Sequence, residues 1–151
     1  MTKSLAKIYI HIVFSTKNRE PLLASTELRS RLFQYITKIC THHHCQLFAV
    51  NGVNDHVHLL LSLHRTITIS RLIEEIKSST SKWIKSTDPS MKTFYWQTGY
   101  GAFSISQSNF DAVINYIKQQ EAHHKKFSFK DELRTLLKVY NVDYDEEILW
   151  T

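Results

Sequence analysis

Cys45-Gln46-Leu47-Phe48-Ala49-Val50-Asn51-Gly52-Val53-Asn54-Asp55-His56-Val57-His58-Leu59-Leu60-Leu61-Ser62-Leu63 holds two β-type runs. The first, 45–53, is rich in residues that fit a pleated surface, and the second, 56–63, is apolar at five of its eight positions. Asn51-Gly52 supplies a turn signal near the end of the first run. The pair is expected to form a hairpin.

Outward from the hairpin, the elements alternate. Upstream, Ile8 to Phe14 is β-branched and aromatic and is expected to be a buried strand. Ser15 to Pro21 is a basic loop. From about Ser25, Leu28, Leu32, Tyr35, Ile36 and Ile39 recur at helical spacing. Downstream, Ile69, Leu72, Ile73, Ile76, Thr80 and Trp83 mark one face of a second helix that ends at Asp88-Pro89. A fourth strand region runs through Phe94 to Gln97 and, past Gly99 and Gly101, through Ala102 to Ser106. A third helix is expected from about Ser108 to Lys125 and a fourth from about Phe129 to Tyr140, with Ser128 and Asp131 at capping-box spacing. The order βαββαβ matches an α+β, ferredoxin-like sandwich: a split βαβ with an antiparallel sheet, both crossover helices on one face, and two additional C-terminal helices.

With 151 residues, 1–151 is expected to be one domain, and 42% hydrophobic residues suffice for a core. Disordered, collagen-like and linker-like readings are excluded. No run of about 18 apolar residues exists to span a membrane, and no secretion signal is evident. The net charge of +5 favours a polyanionic partner. Cys40 and Cys45 suit a reducing compartment.

Nine histidines in so short a chain call for an explanation. In a strand, residues i and i+2 share a face, so His56 and His58 project together, as two ligands of one cation would. A bare His-x-His also describes the solvated face of a strand. Asp55 is placed to orient one imidazole. On the third helix, Tyr116 and Gln120 lie one turn apart beside the apolar stripe of Phe110, Val113, Ile114 and Ile117. The phenol could serve as a nucleophile and the amide as a ligand, although an aromatic at a helix boundary is usually packing and a glutamine is usually solvated. His123 and His124, with Lys125 and Lys126, could face phosphates or simply complement the helix dipole. His42-His43-His44 between the cysteines fits no common zinc-finger spacing and is expected to be a polar turn. His11, in an apolar strand, is read as a satisfied core histidine.

Together these stretches resemble the HUH single-tyrosine transposases, small bacterial insertion-sequence enzymes that include the REP-associated tyrosine transposases. The resemblance rests on His11-Ile12-Val13-Phe14-Ser15-Thr16-Lys17, Asn54-Asp55-His56-Val57-His58-Leu59-Leu60, Trp96-Gln97-Thr98-Gly99-Tyr100-Gly101-Ala102-Phe103-Ser104 and Tyr116-Ile117-Lys118-Gln119-Gln120-Glu121-Ala122-His123-His124. It implies a ferredoxin-like domain that cleaves and rejoins single-stranded DNA at hairpin-bearing ends through a 5′-phosphotyrosine. Tyr116 would be the nucleophile, and His56, His58 and Gln120 the ligands of Mg²⁺ or Mn²⁺. It also implies a homodimer, in some members with active sites shared between subunits, working on DNA in a bacterial or archaeal cytoplasm.

Lys17, Arg19, Lys77, Lys82 and Lys85 are then expected to hold DNA phosphates, and Tyr95 or Tyr100 to stack on unpaired bases. Two other readings compete with a transposase. One is a nonenzymatic nucleic-acid-binding module, which lacks an RNP1-like segment here. The other is a domesticated relative that nicks DNA without moving it.

Overall fold

Strand β1, Tyr9–Ser15, is buried along its whole length because it sits inside the sheet with a neighbour on each side. The structure, a computed structural model, describes residues 1–150. After β1 come helix α1 (Thr26–His42), β2 (Gln46–Gly52), β3 (His56–Ser62), α2 (Ile69–Thr87) and β4 (Gly101–Ile105). The sheet order is β2-β3-β1-β4, and each neighbouring pair is antiparallel. This is the ferredoxin-like arrangement expected from the element order.

Three boundaries differ from expectation. Asn51 and Gly52 are still in the ladder, opposite His58 and Val57, so the hairpin turns at residues 53–55. Gly52 is required there, because a Cβ would lie 2.4 Å from the His56 carbonyl oxygen. Phe94 to Gln97 is not a strand. Phe94 is a buried anchor and Trp96 makes only an isolated bridge to Thr16, so the strand begins at Gly101. The expected third helix is two helices, α3 (Phe110–Lys118) and α4 (Gln120–His124). The Asn51 side-chain amide donates to the Ile117 carbonyl at 2.9 Å and the Lys118 carbonyl at 3.2 Å, which ends α3 and ties it to β2.

Helix α5, Phe129–Val139, starts as its capping signal predicts: the Ser128 hydroxyl accepts from the Asp131 amide at 3.2 Å. The acidic tail adds a short helix, α6 (Glu146–Leu149).

Alternation along the strands divides the molecule into two faces. Ile10, Ile12, Phe14, Val57, Leu59 and Leu61 pack against α1 and α2 in one apolar core. On the opposite face Leu60 and Ile105 meet Ile117 of α3, and Val13 and Phe103 meet Phe129, Leu136 and Leu137 of α5. The C-terminal helices thus cover the face that a plain two-layer sandwich leaves open. His11, His56 and His58 lie on that covered face: His58 pairs with Val13 and His56 with Ser15.

Candidate active site

His56 and His58 are fully buried, so they are not on a solvated strand face. Covering helices remove them from water, and a buried imidazole needs a partner on each nitrogen. For His56, Nδ1 lies 2.7 Å from Asp55 Oδ1, while Nε2 lies 3.0 Å from Glu132 Oε1 and 3.2 Å from Gln120 Oε1. For His58, Nδ1 lies 2.8 Å from His11 Nε2, and Nε2 lies 2.8 Å from Glu132 Oε1. Each imidazole is therefore gripped from behind and presents Nε2 to one spot.

Glu132, from α5, fills that spot. Its Oε1 also lies 3.0 Å from His124 Nε2. Its Oε2 accepts from the Tyr116 hydroxyl and, at 3.1 Å, from the Gln120 amide. One carboxylate thus joins three histidines to the tyrosine and the glutamine. Gln120 is fully buried, the Tyr116 ring centroid is 5.8 Å from that of His58, and all of these residues come from a single chain. His123 stands further back, with Nε2 3.7 Å from Glu132 Oε2.

The electrostatics follow from burial and this carboxylate. Burial favours the neutral form of Glu132, but hydrogen bonds from His124, His56 and His58 outweigh it and hold its pKa below the ordinary range. Burial lowers His58 to about 4. Burial pulls on His56 too, yet hydrogen bonds to Asp55 and Glu132, and the charge of both, leave its pKa raised. Burial, and then the Glu132 carboxylate, raise the Tyr116 pKa, so the phenol is held protonated.

The donor set suits a divalent cation. Ligand atoms of His56, His58, His124 and Glu132 all lie within 4.8 Å of one another. Imidazole nitrogens with a carboxylate oxygen form a competent shell for a first-row divalent ion.

Two members of this site escaped the sequence reading. Glu132 stands in Lys130-Asp131-Glu132-Leu133-Arg134, which resembles ordinary helix surface. The available signal was its register, since Glu132 lies three residues after Phe129 and four before Leu136, on the apolar stripe itself. His11 is not a satisfied core histidine. It backs His58, its Nδ1 is buried without a hydrogen-bond partner, and burial lowers its pKa to about 3.

The basic residues lie elsewhere. Lys77, Lys82 and Lys85 are on α2, which packs on the sheet face opposite the histidines. The Lys77 ammonium donates to the Gln97 and Gly99 carbonyls at 2.8 and 2.6 Å, and burial lowers its pKa to about 8. Lys85 lies 3.9 Å and Lys17 5.8 Å from the ring centroid of exposed Tyr95. Arg19 lies over Trp150, and Lys82 is exposed. His124 is turned inward to Glu132. Cys40 and Cys45 are free and buried, and among the described residues no metal-ligating cluster gathers at them.

Fold and centre together define a ferredoxin-like domain built around a buried histidine–carboxylate–tyrosine cluster. The sequence profile of the family described as "Transposase IS200 like" matches residues 4–120, and the chain belongs to that family of DNA transposases. Two solved structures share the fold. One is a candidate transposase from Deinococcus radiodurans R1, with a TM-score of 0.64 and 24% identity over 80% of this chain and 98% of that one. The other is a REP-associated tyrosine transposase bound to a REP hairpin, with a TM-score of 0.62 and 18% identity over 82% of this chain and 73% of that one. No curated protein matches the sequence. Among the described residues no helix is long and apolar enough to cross a membrane. Glu132 lies beyond the matched residues 4–120.

Proposed function

We propose that the protein is a single-tyrosine HUH transposase that cuts and rejoins single-stranded DNA at hairpin-bearing ends, with Tyr116 as nucleophile. One observation carries this reading: the Tyr116 hydroxyl and the Nε2 atoms of His56 and His58 meet on one buried carboxylate in a chain of the IS200-like family. His56, His58 and Gln120 would hold Mg²⁺ or Mn²⁺. Such an ion supplies positive charge that polarises the scissile phosphate and favours the phenolate.

The residues divide the work. Asp55 and His11 fix the two imidazoles from behind. Helix α3 carries Tyr116, and burial around its ring limits access of competing water. In the reaction the phenolic oxygen bonds to phosphorus and the bond from phosphorus to the upstream 3′ oxygen breaks. Tyr116 loses its proton and the departing oxygen gains one. The 5′-phosphotyrosine keeps the energy of the phosphodiester, so a second 3′ hydroxyl can reverse the step without a nucleotide cofactor.

Lys17, Arg19, Lys82 and Lys85 supply phosphate contacts, and Tyr95, flanked by Lys17 and Lys85, is a base-stacking platform. His123, half-buried beside Tyr116, would meet the phosphate nearest the reaction. Lys77 and His124 are the less available of the expected contacts, since Lys77 also donates to the Gln97 and Gly99 carbonyls and His124 is held by Phe127 and Glu132. The protein is proposed to act as a homodimer in the bacterial or archaeal cytoplasm. Each active site can be complete within one subunit, since the tyrosine and the histidines converge in one chain.

The test uses hairpin-bearing oligonucleotides labelled at either end, with Mn²⁺, resolved on a denaturing gel. The 3′-labelled strand is expected to shift with the protein, and the 5′-labelled strand to appear as a shorter free fragment. Tyr116→Phe should abolish the adduct; an adduct that survives this substitution would falsify the assignment.

A further inference from the structure

We propose that Glu132, on a helix outside the family-matched span, is a carboxylate ligand of the cation and completes a shell with His56, His58 and His124. The inference rests on the metal role given above to the histidine pair and extends it to the C-terminal helices.

The geometry is specific to one oxygen. Glu132 Oε1 stands 2.8, 3.0 and 3.0 Å from the Nε2 atoms of His58, His56 and His124. Neighbouring ligands of an octahedral ion with bonds of about 2.1 Å lie about 3.0 Å apart. Glu132 Oε1 therefore stands at neighbouring-ligand spacing from each of the three imidazole nitrogens, the four donor atoms all lie within 4.8 Å of one another, and a small outward movement of the cluster would make room for an ion. Glu132 is 3% exposed, and four separate segments enclose it: β3 (His56, His58), α3 (Tyr116), α4 and its C-terminal turn (Gln120, His124) and α5 itself. A carboxylate buried among imidazoles is strongly destabilised unless positive charge or donors surround it.

The second oxygen gives this ligand a further consequence. Because Oε2 takes hydrogen bonds from Tyr116 and Gln120, the carboxylate that binds the ion also sets the distance from ion to phenol. His124 has its outer nitrogen, Nδ1, 2.8 Å from the Phe127 carbonyl, which leaves Nε2 directed at the cluster in the manner of a supported ligand. Cation binding would thereby clamp α4 and α5 onto the sheet.

The experiment titrates Mn²⁺ into the full-length chain, following heat release and loss of the free-ion electron paramagnetic signal. The wild type should bind one ion, and Glu132→Gln should bind it at least tenfold more weakly. Amide exchange in α5 should slow on Mn²⁺ addition in the wild type only. In the wild-type chain carrying ¹³C-carboxyl glutamate, electron–nuclear double resonance should show a ¹³C coupling to Mn²⁺, a readout that needs no variant to fold. Equal or tighter binding by Glu132→Gln, or no ¹³C coupling, overturns the proposal and makes Glu132 a competitor for the histidines. His58→Ala separates the two levels. If it abolishes Mn²⁺ binding while Glu132→Gln does not weaken it, only the Glu132 assignment falls. If His58→Ala binds as the wild type does, the metal role of the histidine pair falls with it.

Discussion

The two faces of the central strands are made from the same backbone and behave as different materials. Ile10, Ile12, Phe14, Val57, Leu59 and Leu61 pack with α1 and α2 in one apolar core, whose edge at Phe14 carries the Lys77 ammonium 5.3 Å from the ring centroid. One residue along in each case, His11, Val13, His56, His58 and Leu60 face helices that deliver Glu132, Tyr116, Gln120 and His124. The first face gains stability from area removed from water. The second buries polar groups whose hydrogen bonds largely offset the desolvation they suffer, so its net contribution to stability is small and its contribution to chemistry is large. Period-two alternation keeps the two apart, and a one-residue slip of β3 would exchange them.

The sharpest way to break this contrast is on the apolar side. Phe14 is 1% exposed and its ring meets Trp96 edge-on at 4.9 Å, so Phe14→Ala should cost about 3–5 kcal/mol in denaturant unfolding. Mn²⁺ affinity of the fraction that folds should stay as in the wild type; a parallel loss would show that the faces are not independent.

The reverse experiment is Asp55→Asn. Asp55 lies behind His56 and is partly exposed, so its loss should barely move the melting temperature. Mn²⁺ affinity should fall about 10–100-fold in calorimetric titration, because the partner that orients and charges the ligand is weakened.

A pH series sharpens the comparison further. Burial keeps His11 and His58 neutral in the folded chain, at about 3 and 4, whereas the unfolded chain titrates them near 6.5. Below that pH the unfolded state binds protons that the folded state refuses, so this stability is present above 6.5 and is lost as pH falls toward 4. His56, with its raised pKa, acts in the opposite sense, one group against two. The metal-free melting temperature should therefore drop between pH 7 and 5, and His11→Asn should make the drop shallower.

The smallest effect is expected at Lys82, exposed on α2. Lys82→Ala should change stability by less than about 0.5 kcal/mol. It should also reduce the salt slope of hairpin binding by about one unit if this lysine holds a phosphate.

How far the sequence reached differs between the faces for a physical reason. Strands β1 to β3, the crossover helices and the Ser128 cap were legible because each is set by neighbours within a few residues, whereas Phe94 to Gln97 reads as strand and is not one. His56 with His58, and Tyr116 with Gln120, were legible as two pairs because each spacing is local, and only the family resemblance joined the pairs into one site. The break at Gln119 was not, since it depends on Asn51 reaching across from β2. Glu132 was missed because a carboxylate in a charged helix looks solvated until another layer covers it.

The amino-acid pattern on its own thus determined which residues would share a strand face and which elements would succeed one another, because alternation and helical period are properties of the local chain. Only the tertiary structure decided that the histidine face is dry, and that a glutamate 74 positions from His58 becomes its partner. Long-range packing of α3 to α5 against the sheet makes that choice, and no local spacing encodes it.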